Sequence, residues 1–565
     1  MIILGIIAYQ GHSSSAALIR DGKVIAATNE ERFSRLKRDD SFPVKAIEFV
    51  LAEAKLSLSD VDDVAFAWNP WQSFLFFLTH SVWRFPLNVF SFALKGRREH
   101  GNVSRLEKFF KMLSVRREFL KAFGFCPPLS YVPNHFAHSF GAFSQTHFSK
   151  AYSLVIDGSG EDASTSLYYV EEGNHRLLYR ELFPHSLGIL YASVTQFLGF
   201  RPDSDEYKVM GMSAYGVNRY ASQMNELVSF KDGHYRVNLK YFLVHKNADK
   251  FYSPLMSELF GTNLSDQDRF DIAHSLQKKL EEIVLRLLEE KTSASLPLCT
   301  SGGVFLNCLL NQRIRESKRF PQVHFSPFAD DNGTALGAAF ARYYALTQKR
   351  GEAFHSLSLG ASYEETELLS ALKRHPVSYV KCSSIHEELA LKLAEGHVVA
   401  RFEGRAEFGP RALGYRSILA DPRKSEMKDI VNLKIKHREP FRPFAPIVLK
   451  KDLSELFHVS DEESYPYMIE TLKARDLGRK LIPAVVHDDG TSRVQTVCEV
   501  SQKDLYLLLE AFKKLTGVPV LLNTSFNLNE EPIVNSPDDA LRCFLKTDID
   551  YLALGDYLVS KEIKK

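Results

Sequence analysis

The most basic stretch of the chain lies between residues 401 and 442, and its composition indicates an anion-binding site. Eleven Lys and Arg residues stand there against six Asp and Glu. Glycines and prolines such as Gly409 and Pro410 restrict the backbone, so the basic side chains are held in place. Rigid guanidinium groups bind phosphate or carboxylate through paired hydrogen bonds. A solvated basic face is the alternative, but the interspersed Phe and Pro residues favour a pocket.

Two polar turns contain residue types that bind phosphate or cations. Ser301-Gly302-Gly303 follows an apolar strand, and paired glycines let backbone N–H groups approach an anion. Asp330-Asp331-Asn332-Gly333 precedes a small-residue helix. Two acids beside a glycine can hold a hard cation such as Mg²⁺. A tight turn and a helix cap, the latter worth roughly 1 kcal/mol, are the structural alternatives.

A pair of histidines offers nitrogen ligands for a transition metal. His135 and His138 stand near a predicted helix start at a spacing that places both on one face. Asp157, after the next strand, would add a carboxylate, and this donor set suits a transition metal. A buried structural pair is the alternative. The run Asn523–Asn527, after another apolar strand, either lines a pocket or caps a turn.

Two copies of one strand pattern predict how these residues are positioned. Near the start, predicted strands over 1–9, 15–19 and 23–28 enclose a polar loop and a hairpin turn. The pattern recurs over 152–156, 165–170 and 175–183 around a second polar loop. Coincidence between two hairpins is the alternative. Two copies of the pattern favour a duplicated α/β domain. Actin-like ATPases are built in this way and hold nucleotide between the two halves.

The polar stretch from 348 to 356 predicts a domain boundary near residue 350. The first domain is then 1–350, with subdomains of about 1–145 and 146–350, and the second is 351–565. In the first domain, 268–289 and 334–347 are predicted helices. The second mixes predicted strands with predicted helices, which is typical of an α/β or α+β domain. Its strands lie over 398–402, 518–522 and 551–554, and its helices over 385–394, 424–434, 502–515 and 537–546.

Composition excludes several classes of protein. A chain of 565 residues with 45% hydrophobic and 25% charged residues is globular and too long for one core. A net charge of +2 gives no reason to expect a nucleic-acid partner. Six scattered cysteines indicate neither a disulfide framework nor a cysteine zinc site. We see no signal peptide and no apolar span of about 18 residues, so we expect a cytoplasmic protein without stable membrane insertion.

The longer motifs together resemble the O-carbamoyltransferases of nodulation-factor and antibiotic biosynthesis. The resemblance covers nearly the whole chain and is carried by residues 30–37, 206–211, 301–307, 331–338, 404–423, 436–446, 487–495 and 523–535. It implies a duplicated actin-like (ribonuclease-H-like) N-terminal domain followed by an α/β YrdC-like C-terminal domain. It further implies that carbamoyl phosphate and ATP give carbamoyl-adenylate, whose carbamoyl group then passes to a hydroxyl of a specialised metabolite or saccharide. A homodimer is left open as an alternative to a monomer.

The resemblance also implies roles for individual residues. His12 and Lys37 are catalytic, with His12 as the base at the acceptor hydroxyl. Carbamoyl phosphate is bound by Arg411, Lys436, Arg442, Arg493, Asn523 and Ser525. Nucleotide is bound by Ser301, Gly302, Gly303, Asn307, Glu206 and Lys208. The metal ligands are His138, Asp157, Asp331 and Asn134, with His135 as a substitute. ATP, Mg²⁺ and Fe²⁺, or another divalent metal in place of iron, are the expected cofactors.

Four positions depart from the family pattern. Asn134 stands where the family has a histidine paired with His138, Ser13 replaces an aspartate, Tyr415 an asparagine and Glu530 a glycine. These changes motivate an alternative, a nucleotide-binding regulatory relative with impaired transfer. A third interpretation, an actin-fold sugar kinase, would not need the basic run at 404–446.

The region that fits the family least is 70–125, which combines aromatic and basic residues. An ordinary amphipathic insertion is one interpretation. The other is a surface that shapes the acceptor site or docks on a membrane surface or an acidic carrier.

Overall fold

A computed structural model shows that the protein contains two compact units. It describes residues 1–10, 14–83, 95–98, 101–244, 249–437, 442, 444–460 and 462–561. The first unit comprises Met1–Glu30 and Arg38–His355, and the second comprises Glu31–Lys37 and Ser356–Lys565. A short segment near the start of the chain therefore belongs to the second unit, a feature that the sequence did not predict.

Two five-stranded sheets of the same topology form the first unit. In spatial order, the first sheet contains Lys23–Asn29, Ser15–Arg20, Ile2–Ile7, Asp63–Phe66 and Leu129–Tyr131. The second sheet contains Asn174–Leu182, Ala163–Glu171, Lys150–Ile156, Leu298–Ser301 and Val323–Phe325. In both, three antiparallel strands are followed by two that join in parallel. The predicted repeat, and with it the duplicated actin-like fold, is confirmed.

One pair of helices in the first unit approaches unusually closely because of small residues. Helix Asn134–Phe143 packs against helix Thr334–Thr347. A Cβ on Gly337 would lie 1.9 Å from the Ala137 carbonyl oxygen, so only glycine permits this contact. Helix Thr334–Thr347, in turn, packs on the first strand. This packing fixes the helix that carries the two histidines.

The other helices of the first unit include both long and short elements. Among the described residues they are Val44–Ala54, Pro70–Trp83, Arg105–Leu113, Val115–Phe123, Leu187–Phe197, Glu206–Met212, Ala221–Leu227, Leu255–Phe260, Asp266–Lys291 and Cys308–Glu316. Two small hairpins pair Lys95–Arg98 with Gly101–Ser104 and Val228–Lys231 with His234–Val237. Within the described part of the chain, no helix is long and apolar enough to cross a membrane.

The second unit is built on an eight-stranded mixed sheet, so the predicted α/β class is confirmed. Its spatial order is Val377–Lys381, Tyr557–Lys561, Tyr551–Leu554, Val399–Phe402, Arg416–Ala420, Val520–Ser525, Ala445–Leu449 and Gln495–Val497. A separate ribbon pairs Thr471–Lys473 with Thr491–Arg493. Apart from Glu31–Ser34, the α-helices of this unit among the described residues are Glu365–Arg374, Ile385–Ala394, Glu426–Asp429, Leu453–Leu456, Asp476–Leu481, Lys503–Thr516 and Pro537–Leu545.

One predicted helix of the second unit has a different form. Instead of a single α-helix over 424–434, the chain forms the short α-helix Glu426–Asp429 and then the π-helix Ile430–Lys436. A π-helix is wider than an α-helix and often occurs at functional sites. Its last residue is Lys436, one of the predicted anion ligands.

The segment Glu31–Lys37 is held in the second unit by its arginines. It begins with the short helix Glu31–Ser34. The guanidinium of Arg35 donates to the carbonyl oxygens of Pro532 and Ile533, both at 2.8 Å, and lies 3.5 Å from Asp539. A segment this short cannot form a core of its own, so these polar contacts account for its position.

Candidate functional site

A buried acid anchors the helix that carries the histidines. Glu161 accepts hydrogen bonds from the backbone N–H of Asn134 at 2.9 and 3.1 Å and from that of Asn69 at 2.8 Å. A carboxylate at a helix N-terminus satisfies donors that have no partner within the helix. Burial nevertheless raises the pKa of Glu161 to about 7. The start of helix Asn134–Phe143 is therefore fixed by a side chain from a neighbouring loop.

Three predicted metal ligands converge at the ends of the two halves of the first unit. His138 Nε2 lies 3.3 Å from Asp157 Oδ2 and 3.2 Å from Asp331 Oδ1, and the ligand atoms of all three lie within 4.8 Å of one another. His138 Nδ1 is 3.1 Å from Ser301 Oγ. Burial lowers the pKa of His138, but the two carboxylates outweigh it and raise the pKa to about 9. One imidazole and two carboxylates are a donor set that suits a divalent metal.

The surroundings of this His-Asp-Asp group are compatible with a metal. Asn134 Nδ2 donates to Asp331 Oδ1 at 3.0 Å, while its buried Oδ1 has no hydrogen-bond partner within the described residues. An amide oxygen in this position can serve as a further metal ligand. His135 is not part of the group: its Nδ1 is 2.9 Å from Ser166 Oγ, and burial lowers its pKa to about 3. As a substitute ligand, His135 stays a prediction.

The glycine turn at 301–303 lies directly beside Asp157. Strands Lys150–Ile156 and Leu298–Ser301 are parallel neighbours, with Ser301 opposite Val155. Gly302 has a φ of +92°, and a Cβ there would lie 2.3 Å from the Ile156 carbonyl oxygen. A Cβ on Gly303 would lie 3.0 Å from Asp157 Oδ1. Two glycines are thus required for this turn to pass so close to the carboxylate.

The remaining predicted nucleotide ligands take part in local networks. Asn307 Oδ1 caps helix Cys308–Glu316 through the Leu310 N–H at 2.9 Å, and Asn307 exchanges two hydrogen bonds with Gln277, at 2.8 and 3.1 Å. Gln277 lies in the middle of helix Asp266–Lys291 and was not among the predicted site residues. Glu206 accepts from the Asp203 N–H at 2.7 Å, and burial raises its pKa to about 8.

Lys208 lies 3.3 Å from the carboxylate of Asp205. Its role in nucleotide binding stays a prediction. The predicted base His12 lies outside the described residues. Lys37 belongs to the segment that is part of the second unit, and its catalytic role likewise stays a prediction.

In the second unit, the segments that carry the predicted anion ligands lie at one end of neighbouring strands of the eight-stranded sheet. Strands Arg416–Ala420, Ala445–Leu449 and Gln495–Val497 begin at this end, where strand Val520–Ser525 finishes. Arg411, Arg442 and Arg493 precede the three strand starts, and Asn523 and Ser525 lie at the strand end. Residues distant in the sequence are therefore brought together by strand pairing.

Lys436 is buried and joins the π-helix to the end of strand Val520–Ser525. Its Nζ donates to the Ser525 and Asn527 carbonyl oxygens at 2.8 and 3.0 Å and to Asn527 Oδ1 at 2.8 Å. Ser525 Oγ also lies 2.6 Å from Asn527 Oδ1. Asn527 was not predicted as a site residue, although it follows Ser525 closely. Lys436 thus contributes a fixed positive charge beside this end of the sheet.

The loop from Gly409 to Arg416 is held by side chains along most of its length. Asn523 Nδ2 donates to the Ala412 carbonyl oxygen at 2.9 Å, and Gln495 Nε2 donates to that of Leu413 at 2.8 Å. Arg401 Nη1 donates to the Gly414 carbonyl oxygen at 2.5 Å. This loop carries Arg411. Asn523, predicted as a substrate ligand, thus contacts the loop backbone.

Not every arginine of the basic run belongs to an anion site. The guanidinium of Arg416 is fully buried and donates to the carbonyl oxygens of Glu403, Gly404 and Ala361 at 2.6 to 3.0 Å. Burial lowers the pKa of Arg416 to about 10. Arg405 similarly donates to the carbonyl oxygens of residues 359 and 360. Arg405 and Arg416 therefore stabilise the fold. From the sequence alone they cannot be distinguished from Arg411.

Glu530 occupies a backbone conformation that favours glycine, with a φ of +65°. A side chain in this left-handed region costs roughly 1 kcal/mol. We expect Glu530→Gly to raise the free energy of unfolding by about 1 kcal/mol in urea denaturation. The same change at Glu455, in helix Leu453–Leu456, should lower it, and a loss of stability in Glu530→Gly would contradict the strain argument.

Comparison with known families identifies the class of the protein. The description "Carbamoyltransferase N-terminus" matches residues 2–340, and "Carbamoyltransferase C-terminus" matches residues 390–561. The chain belongs to the carbamoyltransferase family. The resemblance inferred from the motifs is confirmed, and the protein is an enzyme of this class.

Individual relatives extend over different shares of the chain. An uncharacterised protein of Synechocystis sp. is 37% identical over 99% of this chain and 96% of its own length. Nodulation protein NolNO of Sinorhizobium fredii is 36% identical over 97% of this chain and 79% of its own length. The 3'-hydroxymethylcephem-O-carbamoyltransferase of Amycolatopsis lactamdurans is 34% identical over 53% of this chain and 56% of its own length.

Proposed function

We propose that this carbamoyltransferase forms carbamoyl-adenylate from carbamoyl phosphate and ATP and passes the carbamoyl group to a hydroxyl of a specialised metabolite or saccharide. The observation that carries the proposal is that strand pairing places the segments that carry Arg411, Arg442 and Arg493 at one end of the eight-stranded sheet. Two polyanionic substrates repel each other, and fixed cations reduce that repulsion. A sugar kinase would not require this anion site in the second unit.

The first reaction balances when water is included. Hydrolysis of the bond between the carbamoyl carbon and the phosphate oxygen gives carbamate and inorganic phosphate. A carbamate oxygen then attacks the α-phosphorus of ATP, forming carbamoyl-adenylate and displacing pyrophosphate. Mg²⁺ bound to the ATP phosphates would offset part of their charge.

The basic residues of the second unit support this reaction by holding charge in fixed positions. The buried ammonium of Lys436 is oriented by three acceptors from residues 525 and 527. Arg411 is carried by a loop whose carbonyl groups are already bound by protein donors. Charges held in advance need little reorganisation when the transition state forms, which is why such sites accelerate phosphoryl and nucleotidyl transfer.

The transfer reaction is proposed for the first unit. His138, Asp157 and Asp331 would hold Fe²⁺ or another divalent metal. A divalent metal held by these residues would supply Lewis-acid polarisation of the carbamoyl carbonyl. Ser301 orients the His138 ring through Nδ1, and Gly302 and Gly303 keep the adjacent turn free of side chains where the nucleotide is predicted to bind. Removal of the acceptor hydroxyl proton is the role predicted for His12.

The proposed function predicts pyrophosphate release that depends on both substrates. Purified protein with Mg²⁺ and ATP should release pyrophosphate only when carbamoyl phosphate is added, with one inorganic phosphate formed for each pyrophosphate. Omitting either substrate is the control. Release of ADP in place of pyrophosphate would favour the kinase interpretation. Folded protein that releases neither would contradict the proposed first reaction.

A further inference from the structure

We infer that Arg32 and Glu407 form a buried clamp that positions Arg411 for carbamoyl phosphate. Arg32 lies in the segment Glu31–Lys37, far from Glu407 in the sequence but in the same compact unit. The clamp itself is independent of the proposed function, whereas its effect on carbamoyl phosphate rests on that function. Both residues are positioning residues, since neither is proposed to touch the substrate.

Glu407 holds the C-terminal end of the Arg411 loop. A single oxygen, Oε1, accepts hydrogen bonds from the backbone N–H groups of Leu413, Tyr415 and Arg416 at 2.8, 2.9 and 3.1 Å. Three convergent amides stabilise a carboxylate strongly. Glu407 is only 3% exposed, so these bonds compensate for the loss of hydration.

Arg32 holds the other end of the same loop. Its Nη2 donates to the Gly409 carbonyl oxygen at 3.3 Å, two residues before Arg411. Arg32 is 5% exposed. Burial lowers the pKa of Arg32, while the carboxylates of Glu31 and Glu407 act in the opposite direction. The loop is therefore bound at its first carbonyl by a cation and near its end by an anion.

The remaining polar atoms of the two residues show why they act together. Arg32 Nη1 and Glu407 Oε2 are buried, and neither has a hydrogen-bond partner among the residues that the structure describes. A buried charge without compensation is strongly unfavourable. The carboxylate of Glu407 acts electrostatically on the guanidinium of Arg32. Each charge therefore stabilises the other, and removing one leaves the other buried with less compensation.

The segment that carries Arg32 is also bound at a second place, outside the Arg411 loop. Arg35, one turn after Arg32, donates to the carbonyl oxygens of Pro532 and Ile533. The segment is thus fixed on one side by the 532–533 loop and on the other by Gly409. This geometry explains why a piece of the N-terminal sequence is part of the second unit.

The first test is kinetic and uses the full-length protein. Glu407→Gln and Arg32→Met should each lower kcat/KM for carbamoyl phosphate by about 10²-fold, because a small displacement of a binding group is costly. The loss should come mainly from a higher KM for carbamoyl phosphate, with the KM for ATP unchanged. Glu455→Gln, an exposed carboxylate in the same unit, is the matched control.

A double mutant separates a coupled pair from two independent supports. In Arg32→Met/Glu407→Gln both charges are removed, so the loss in kcat/KM should be smaller than the product of the two single losses. A loss equal to that product would overturn the pair. If a neutral variant does not fold, Glu407→Asp and Arg32→Lys keep the charge and shorten the side chain, and each should still lower kcat/KM for carbamoyl phosphate; wild-type values in both would overturn the clamp.

Hydrogen exchange tests the clamp without any reaction. Glu407→Gln should accelerate exchange of the Leu413, Tyr415 and Arg416 amides while leaving amides of helix Ile385–Ala394 unchanged. Unchanged exchange in the loop would overturn the inference even if the enzyme is active. Conversely, if the wild-type protein releases no pyrophosphate, the proposed function fails while this experiment still decides whether the clamp exists.

Discussion

Replacing Arg411 with methionine is expected to lower kcat/KM for carbamoyl phosphate by about 10³-fold in the pyrophosphate-release assay. Truncating one partner of a buried charged contact costs about 4 kcal/mol, and each 1.4 kcal/mol corresponds to a factor of ten. Arg411 lies in a loop whose backbone is bound by Asn523, Gln495 and Arg401, so no other side chain can readily move into its place.

A second arginine from the same basic run provides the control for Arg411. Arg423 pairs with Asp421 at 2.7 Å and donates to the Ala394 carbonyl oxygen at 3.2 Å. Arg423→Met removes the same charge and should leave kcat/KM for carbamoyl phosphate near the wild-type value. Equal losses in both variants would show that the net charge of the run matters and that the specific position of Arg411 does not.

The fold was largely predictable because its signals are local. The helix predicted over 334–347 is observed as Thr334–Thr347, and the one over 385–394 as Ile385–Ala394. Recurring hairpins predicted the duplication, since strand patterns and turn residues lie close together in the sequence. The position of Glu31–Lys37 was not predictable in this way, because it depends on Arg35 contacting residues almost five hundred positions later.

For the candidate sites, the sequence predicts which residues lie together better than it predicts what each residue binds. His138, Asp157 and Asp331 were proposed together, and the structure brings them together. In the basic run, however, Arg411 and Arg416 have similar sequence surroundings, and only the structure shows that Arg416 binds backbone carbonyls. Glu407 was missed because a single glutamate in a loop carries no pattern, and its three amide donors become apparent only after folding.

The second large effect is expected at the His-Asp-Asp group. Replacing His138 with glutamine removes the imidazole that lies between Asp157 and Asp331. We expect the affinity for Fe²⁺ to fall by at least about 100-fold, since even residues outside the ligand set change metal affinity by that order. Metal content after equilibration with Fe²⁺ under anaerobic conditions, measured by elemental analysis, is the readout.

Two controls make the His138 prediction specific: a second histidine variant on the same helix, and the reaction proposed for the second unit. His135→Gln changes the same residue type on the same helix, but His135 contacts Ser166 and is not part of the group, so this variant should retain metal. Pyrophosphate release, proposed for the other unit, should persist in His138→Gln while carbamoyl transfer is lost. Metal loss in His135→Gln alone would show that His135 is the ligand.

Asn134→His, which adds a second imidazole beside Asp331, should strengthen metal binding, because imidazole is a better ligand for iron than an amide oxygen.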